Sequence, residues 1–421
     1  MNISNFVFNE LLKGDVQAFI ESKDNITVYM RFKQYQMDTA TSTLLDLLNK
    51  MIQEGVFTNQ EVKDFLNSKL SNGHLTNLFR YHFAESGLET EEEFIERINS
   101  LANRPKPHLF SVEIPADINC NYISDEIYNL VDESSAKLVS LSYEKNEENL
   151  ITTVKFLIVR GILDNGNRSH LYIVTEIDYI NSIVIIRNKN IAKSENSKYS
   201  AKNTFKNMKE IVNEKFALTT INKRAEDSLI LFHMASDLVN PVLNPYLVKI
   251  ESILDNKISL FIDDIEKEVG IESSEVGKNI IVSNIKYHLI AEMIAKDYGK
   301  LDENKLKANF GVNGYIRQIN FLDESQAEGK AKPETAEESI LETSVFYDFK
   351  ARLDDCQTVE DLTIYWLDFM EKVDESTNIT TYEKAGVSFH IEEGYLNIVL
   401  KKLLHGEEFV QHVLRKIDEY S

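Results

Sequence analysis

The sequence predicts a mixed α+β fold, with an antiparallel sheet and helices in the N-terminal half, a helical middle and a small α/β C-terminal element. Three observations lead to this prediction. Short β-rich runs flank an Asn165-Gly166 pair, which is typical of a hairpin turn because both residues tolerate positive φ. Apolar residues recur at helical spacing through the middle of the chain. Only 15 of the 421 residues are Gly and 6 are Pro, which disfavours turn-dense β-sandwiches and propellers.

The N-terminal stretch combines strand and helix signals. Residues 16–20 and 26–32 predict two strands joined by a turn. The motifs Thr-Asn-Gln-Glu at 58–61 and Thr-Glu-Glu-Glu at 90–93 fit the capping box, in which the first and fourth residues satisfy each other's backbone donors. Each motif therefore predicts the start of a helix.

A meander of three antiparallel strands is predicted at residues 151–160, 171–177 and 183–187. The meander is the last part of the sheet-containing half of the chain. Changes in hydrophobic periodicity and in composition predict the domain boundaries. The predicted domains are a mixed α/β N-terminal domain with the antiparallel meander (1–190), a mainly helical domain (191–323), an acidic linker or loop (324–342) and a small α+β C-terminal element (343–421).

The C-terminal half contains two Asn-Pro pairs, a pair of predicted helices and an acidic stretch. The pairs Asn240-Pro241 and Asn244-Pro245 predict breaks between helices, because proline lacks a backbone donor. The stretch 262–276 reads as two helices joined at Gly270. We expect ordinary packing there rather than DNA reading, because the second helix begins with acidic residues that phosphates would repel. Residues 324–342 are acidic and contain few large apolar side chains, which favours a linker or loop.

Composition excludes several classes of protein. The chain has 46 basic and 68 acidic side chains, a formal net charge of −22, yet its hydrophobic fraction of 43% excludes a wholly disordered protein. Its 2 cysteines, Cys120 and Cys356, do not suffice for a disulfide framework or a four-thiolate zinc site. No apolar run approaches the length of a membrane span, and the N-terminus lacks a signal-peptide pattern. We therefore expect a cytoplasmic protein that does not bind membranes.

Motifs that bind cofactors or metals are missing from the sequence. It contains no Gly-x-Gly-x-x-Gly, Gly-x-Ser-x-Gly or His-Glu-x-x-His, and Glu275-Val276-Gly277-Lys278-Asn279 lacks the upstream glycine of a phosphate-binding loop. The sequence therefore predicts no cofactor and no metal site, and it identifies no catalytic residue.

Carboxylates provide the enzymatic alternative, a metal-dependent nuclease or phosphoesterase. Asp263, Asp264, Glu266 and Glu268 crowd one predicted helix, where spacings of three and four bring some of them onto one face. Glu176 and Asp178, with Lys189, lie on predicted sheet without a diagnostic spacing, and Glu-x-Lys occurs at Glu21, Glu61, Glu303 and Glu328, outside the predicted strands. This alternative expects cleavage that needs a divalent metal and is lost on Asp178→Ala or Asp263→Ala.

The strongest functional signal is a basic segment, residues 187–209, in an otherwise acidic chain. It has only one acid, Glu195, and its spacing places some of its lysines on one helix face. Such a surface favours phosphates through counterion release, whereas the acidic remainder repels nonspecific contacts. The predicted nucleic-acid-binding residues are Arg187, Lys189, Lys193, Lys198, Lys202, Lys206 and Lys209.

The sequence therefore favours a non-enzymatic binding or regulatory component of a larger assembly. Its expected partners are nucleic acid or an acidic protein surface at the basic segment, together with a protein partner or a second copy of the chain. Bacterial phage defence or genome maintenance is the expected setting, although no single residue indicates it. A third interpretation is an acidic inhibitor that mimics nucleic acid and binds a basic protein.

Overall fold

The chain folds, in a computed structural model, into two compact units. Unit 1 comprises Met1–Asn222 and Leu403–Gln411, and unit 2 comprises Lys223–Lys402 and His412–Ser421. Helices and antiparallel strands occur in both units, which confirms the mixed α+β class. The structure describes residues 3, 8, 11, 13–23, 44–72, 75–101, 112–113, 122–123, 136–164, 167–189, 199–271, 274–323, 327–335, 338–374, 379–401 and 406–420.

Unit 1 is built on a sheet with strand order β2-β4-β5-β6-β7-β1, to which β3 adds at β4 and β8 adds at β1. Every described pairing is antiparallel except that of β2 with β4. The strands are β1 (Asn77–Phe83), β2 (Val112–Glu113), β3 (Tyr122–Ile123), β4 (Ala136–Lys145), β5 (Ile151–Asp164), β6 (Asn167–Asp178), β7 (Ile183–Asn188) and β8 (Thr220–Ile221).

Helices cover both faces of this sheet. On the first face, Leu157, Val159 and Val174 pack with the apolar sides of three N-terminal helices. On the opposite face, Phe79 stacks on Phe205 with ring centroids 4.4 Å apart. The helices of the first face are α1 (Lys13–Glu21), α2 (Leu44–Gln53) and α3 (Asn59–Asn72), and those of the second are α4 (Glu91–Leu101) and α5 (Ala201–Lys215).

Local sequence signals explain where these helices begin. Both capping boxes are confirmed: the Thr58 backbone N–H donates to Glu61 Oε2 at 2.7 Å, and the Thr90 N–H donates to Glu93 Oε2 at 2.9 Å. The predicted strand at 16–20 is wrong, because these residues lie in α1. Its apolar residues Val16 and Ile20 are four apart and both buried, which fits one helix face as well as a strand. Its expected partner, 26–32, lies outside the described residues.

Unit 2 contains an antiparallel sheet with strand order β10-β9-β11-β12-β13. Buried helix residues such as Met234 and Val242 contribute to its core. The strands are β9 (Gly314–Leu322), β10 (Glu328–Ala331), β11 (Asp361–Asp374), β12 (Ile379–Glu392) and β13 (Tyr395–Leu400). The helices are α6 (Arg224–Val269), α7 (Glu275–Tyr298), α8 (Glu303–Phe310), α9 (Ser344–Cys356) and α10 (Gly406–Asp418), of which α10 begins in unit 1.

Two segments of unit 2 differ from the sequence interpretation. Helix α6 runs for 46 residues through Pro241 and Pro245, so the expected breaks at these prolines are wrong. Val242 and Leu243, between the prolines, are almost fully buried, and tertiary packing therefore outweighs the hydrogen bonds that the prolines remove. The stretch 324–342 includes strand β10, where a side chain at Gly329 would collide with the Phe321 ring.

Candidate ligand-binding site

The predicted basic segment does not form one surface in the described part of the chain. Arg187 has no exposed area, and its guanidinium is paired with a carboxylate inside unit 1. Lys202 and Lys206 are exposed on α5, whereas Lys209 is half-buried over the Tyr81 ring, 4.7 Å from its centroid. Lys189 is also half-buried, and Lys193 and Lys198 lie outside the described residues. Strand geometry turns the Arg187 side chain inwards, so this residue of the predicted basic segment lies in the interior of unit 1.

Several carboxylates of the enzymatic alternative have partners within the described structure. Asp263 Oδ1 and Glu266 Oε2 both bind the Lys278 ammonium, at 3.0 and 2.6 Å. Asp178 accepts hydrogen bonds from the backbone and side chain of Asn181 in the turn after β6. Glu328, against expectation, lies on a strand, but it is exposed on the short β10. Among the residues that the structure describes, no three His, Cys, Asp or Glu side chains are placed to hold a metal ion.

A polar cluster instead occupies one end of the sheet face that carries α1–α3. Successive strand residues point to opposite faces, so Lys155 shares the face of Leu157 and Val159. Strand register places Ser142 opposite Lys155 on one side and Glu176 opposite it on the other. Arg187 lies on the next strand, opposite Val174, and points to the same face. Four adjacent strands thus bring a hydroxyl, an ammonium, a carboxylate and a guanidinium side by side.

Within this cluster Arg187 has a charged partner. Its Nη2 lies 3.1 Å from Glu176 Oε2, with suitable geometry for a hydrogen bond. The guanidinium is fully buried and the carboxylate is partly exposed. A buried cation needs such a partner, because an uncompensated charge in the protein interior is strongly unfavourable.

Lys155 lies only two strands away from Arg187, but it has no carboxylate partner at hydrogen-bond distance among the described residues. The nearest carboxylate oxygen is Glu407 Oε1 at 3.8 Å, beyond hydrogen-bond distance. Across the described portion of the chain, no acceptor receives a hydrogen bond from its ammonium. Burial lowers the pKa of Lys155, and the positive charge of Arg187 lowers it further, whereas Glu176 and Glu407 act in the opposite direction.

The Lys155 side chain lines a cavity of about 270 Å³ between α3 and strands β4 and β5. Ser71 and Ser140 are almost fully buried at its wall, and the Ser140 hydroxyl donates to Asn67 Oδ1. Asp64 is exposed, and the Glu407 side chain is 41% exposed. The lining residues are Asp64, Asn67, Ser68, Ser71, Ser140, Ser142, Lys155, Phe156, Leu157 and Glu407.

This arrangement can hold a small polar molecule. An ammonium, four serines and an amide line one cavity together with two carboxylates. The ammonium supplies hydrogen-bond donors, the carboxylates supply acceptors, and a serine hydroxyl that donates within the protein can still accept a hydrogen bond. The volume is slightly below the usual range for ligand pockets, about 300–1,000 Å³, which limits the ligand to metabolite size. The site leaves no pattern in the sequence, because its residues come from separate elements and meet only through strand register and helix packing. A lysine among the apolar residues of β5 was the only local signal.

No protein-family model matches the chain, and no curated protein matches it either. Within the described ranges, no helix combines the length and the apolar character that crossing a membrane requires.

Proposed function

We propose that the protein is a non-enzymatic binding protein with a regulatory role, and that unit 1 binds a small polar molecule through an oxyanion group. The observation that carries this proposal is the Lys155 ammonium, which faces a polar cavity without a hydrogen-bond acceptor from the described residues. A carboxylate or phosphate group on a ligand would supply that acceptor, and charge-assisted hydrogen bonds of this kind are among the strongest in proteins.

A purely structural role explains Lys155 less well. Arg187, on the same sheet face, has the carboxylate partner that a structural buried cation requires. Lys155 lacks an equivalent partner at hydrogen-bond distance and lines a cavity that also contains four serines. Functional sites often retain such unfavourable groups because the ligand, rather than the fold, satisfies them.

The cavity also indicates what else the ligand carries. Asp64 and Glu407 accept hydrogen bonds, so the ligand needs hydroxyl or ammonium donors in addition to its oxyanion. Two apolar residues, Phe156 and Leu157, form only a small part of the lining. The supported ligand class is a small hydroxylated or amino-bearing metabolite with one carboxylate or phosphate group.

Isothermal titration calorimetry with matched compounds tests this proposal. Glycerol 3-phosphate is compared with glycerol, lactate with propane-1,2-diol, and inorganic phosphate serves as the minimal probe. We expect saturable binding of at least one oxyanion and none of its uncharged counterpart, and the phosphate and carboxylate pairs identify the preferred group. The absence of binding by every oxyanion in the set would contradict the proposal.

Two lysine variants locate the binding site. Lys155→Met removes the ammonium but keeps much of the side-chain volume, so we expect oxyanion binding to be lost. Lys206→Met removes an exposed lysine on α5, far along the chain from the cavity residues, and should leave binding unchanged. Equal affinities of Lys155→Met and the unmodified protein would show that the oxyanion does not bind at Lys155.

Contact between nucleic acid and α5 is a second candidate function, supported by the exposed Lys202 and Lys206 on one helix. Phosphate contacts by these lysines predict binding that weakens with salt and falls in a Lys202→Glu/Lys206→Glu variant. Fluorescence anisotropy with labelled duplex DNA, single-stranded DNA and RNA across a salt series measures this. Binding that is independent of salt, or unchanged in the variant, would contradict the contact.

A further inference from the structure

Large apolar side chains are exposed mainly on the hairpin formed by α6 and α7. Of the 11 exposed large hydrophobic residues among those described, 7 lie between residues 260 and 289. Such a concentration on one element marks an interaction surface, whereas exposed apolar residues scattered singly need no explanation. The 7 residues are Leu260, Phe261, Ile265, Val269, Ile271, Ile281 and Leu289.

Three of them form a stripe along the end of α6. Phe261, Ile265 and Val269 are spaced four apart, and 60%, 42% and 66% of their surfaces are exposed. The buried side of this part of α6 carries Ile258, Ile262 and Glu266. At 100° per residue, Phe261 lies roughly 100° and Ile265 roughly 60° around the helix from Ile262. The stripe therefore runs beside the buried side of α6 and stays exposed.

Opposite charges lie at the two ends of this stripe. Lys257 lies one helical turn before Phe261, and Glu268 lies almost one turn after Ile265, within the same sector of the helix. Both side chains are exposed, and neither has an ion-pair partner in the described part of the protein. The order along α6 is thus basic, apolar, apolar, acidic.

When a second α6 runs in the opposite direction, its acidic end lies opposite the basic end of the first helix. We propose that a second copy of this chain packs antiparallel on the stripe, related to the first by a two-fold axis between Phe261 and Ile265. Phe261 then contacts Ile265 of the second copy, and Lys257 reaches Glu268 of the second copy, twice per interface. A parallel arrangement is disfavoured because it brings like charges together. The proposal is independent of the ligand site in unit 1.

Charge reversal provides a specific test, with mass measured by sedimentation velocity over a range of protein concentrations. The unmodified protein should reach twice the 48.5 kDa of the chain. Lys257→Glu and Glu268→Lys each replace two attractive pairs with two repulsive ones, so each should raise the dissociation constant about tenfold or more. The double variant should return to within about threefold of the unmodified protein, and an equimolar mixture of the two single variants should form a heterodimer.

A second set of variants tests the apolar centre. Phe261→Ser/Ile265→Ser should give a monomer that retains its circular-dichroism spectrum, because both side chains are already exposed in the single chain. Ile180→Ser/Val345→Ser removes exposed apolar side chains outside the hairpin and should leave the dimer unchanged. A monomeric unmodified protein at every concentration would overturn the proposal. A dimer that tolerates the Phe261 and Ile265 changes, or that the double charge reversal fails to restore, would also overturn it.

Discussion

Arg187 and Lys155 are basic residues on the same face of one sheet, two strands apart, but their surroundings differ. The Arg187 guanidinium is fully buried and lies 3.1 Å from a Glu176 oxygen. The Lys155 ammonium opens into a serine-lined cavity, and its nearest carboxylate oxygen is 3.8 Å away. The first cation has a partner within the fold, whereas the second is the one that we propose for ligand binding.

The largest effect is expected for Arg187→Met, which should lower the free energy of unfolding by about 2–4 kcal/mol, because it leaves the Glu176 carboxylate without its buried partner. Urea denaturation followed by circular dichroism measures the change. The same substitution at Lys206, which is exposed, is the control and should alter stability by less than about 0.5 kcal/mol. If Arg187→Met lowered the free energy of unfolding no more than Lys206→Met does, the buried pair would not stabilise unit 1.

Glu176→Gln should lower the free energy of unfolding by a smaller amount, about 1–2 kcal/mol. The amide oxygen still accepts a hydrogen bond from Arg187, but the negative charge that offsets the buried guanidinium is lost. The same change removes support for the Lys155 ammonium, so it should lower the pKa of Lys155 further. Urea denaturation gives the first quantity and NMR titration the second. An unchanged pKa of Lys155 would contradict the charge coupling across the sheet.

Lys155→Met should act in the opposite direction and leave the free energy of unfolding unchanged or raise it by roughly 2 kcal/mol at most. Replacing a half-buried, poorly paired charge, whose side chain is 27% exposed, with an apolar side chain removes part of a desolvation penalty. The prediction is checked without ligand, under the conditions used for Arg187→Met. A loss comparable to that at Arg187 would mean that Lys155 is also a structural cation.

The smallest expected effect is a pH dependence of the difference in unfolding free energy between Lys155→Met and the unmodified protein. Since the pKa of Lys155 is lowered in the folded state, the unfolded chain binds more protons between that lowered value and the ordinary value of about 10.5, and stability rises with pH in this window. The penalty removed by Lys155→Met should therefore shrink as the pH rises towards about 10. Parallel urea denaturation of both proteins at several pH values measures the difference between their free energies of unfolding. A difference that grows with pH would contradict a lowered pKa of Lys155.

Elements with strong local signals were predictable from the sequence. Strands β5, β6 and β7 occur where the meander was expected, and α3 and α4 begin at the predicted capping boxes. These signals act between residues that are close in sequence. Residues 16–20 were misassigned because an apolar pair four apart fits a helix face as well as a strand.

The candidate site could not be predicted, because it depends on strand register. Arg187 is close in sequence to several lysines, but its position on β7 points it into the interior beside Glu176. Glu407 reaches the cavity from a helix more than two hundred residues beyond β5. Neither relationship leaves a pattern within a local window of sequence. The exposed stripe on α6, by contrast, has helical spacing and becomes informative once its exposure is known.

NMR titration of Lys155 tests the central claim most directly. In protein labelled at its lysines, the Lys155 signal is assigned from its loss in Lys155→Met, and the pKa is measured with and without the oxyanion that binds in calorimetry. We predict a lowered pKa in the free protein and a higher one in the complex, because an oxyanion favours the charged ammonium. A pKa that stays the same when the oxyanion binds would show that Lys155 does not receive the ligand.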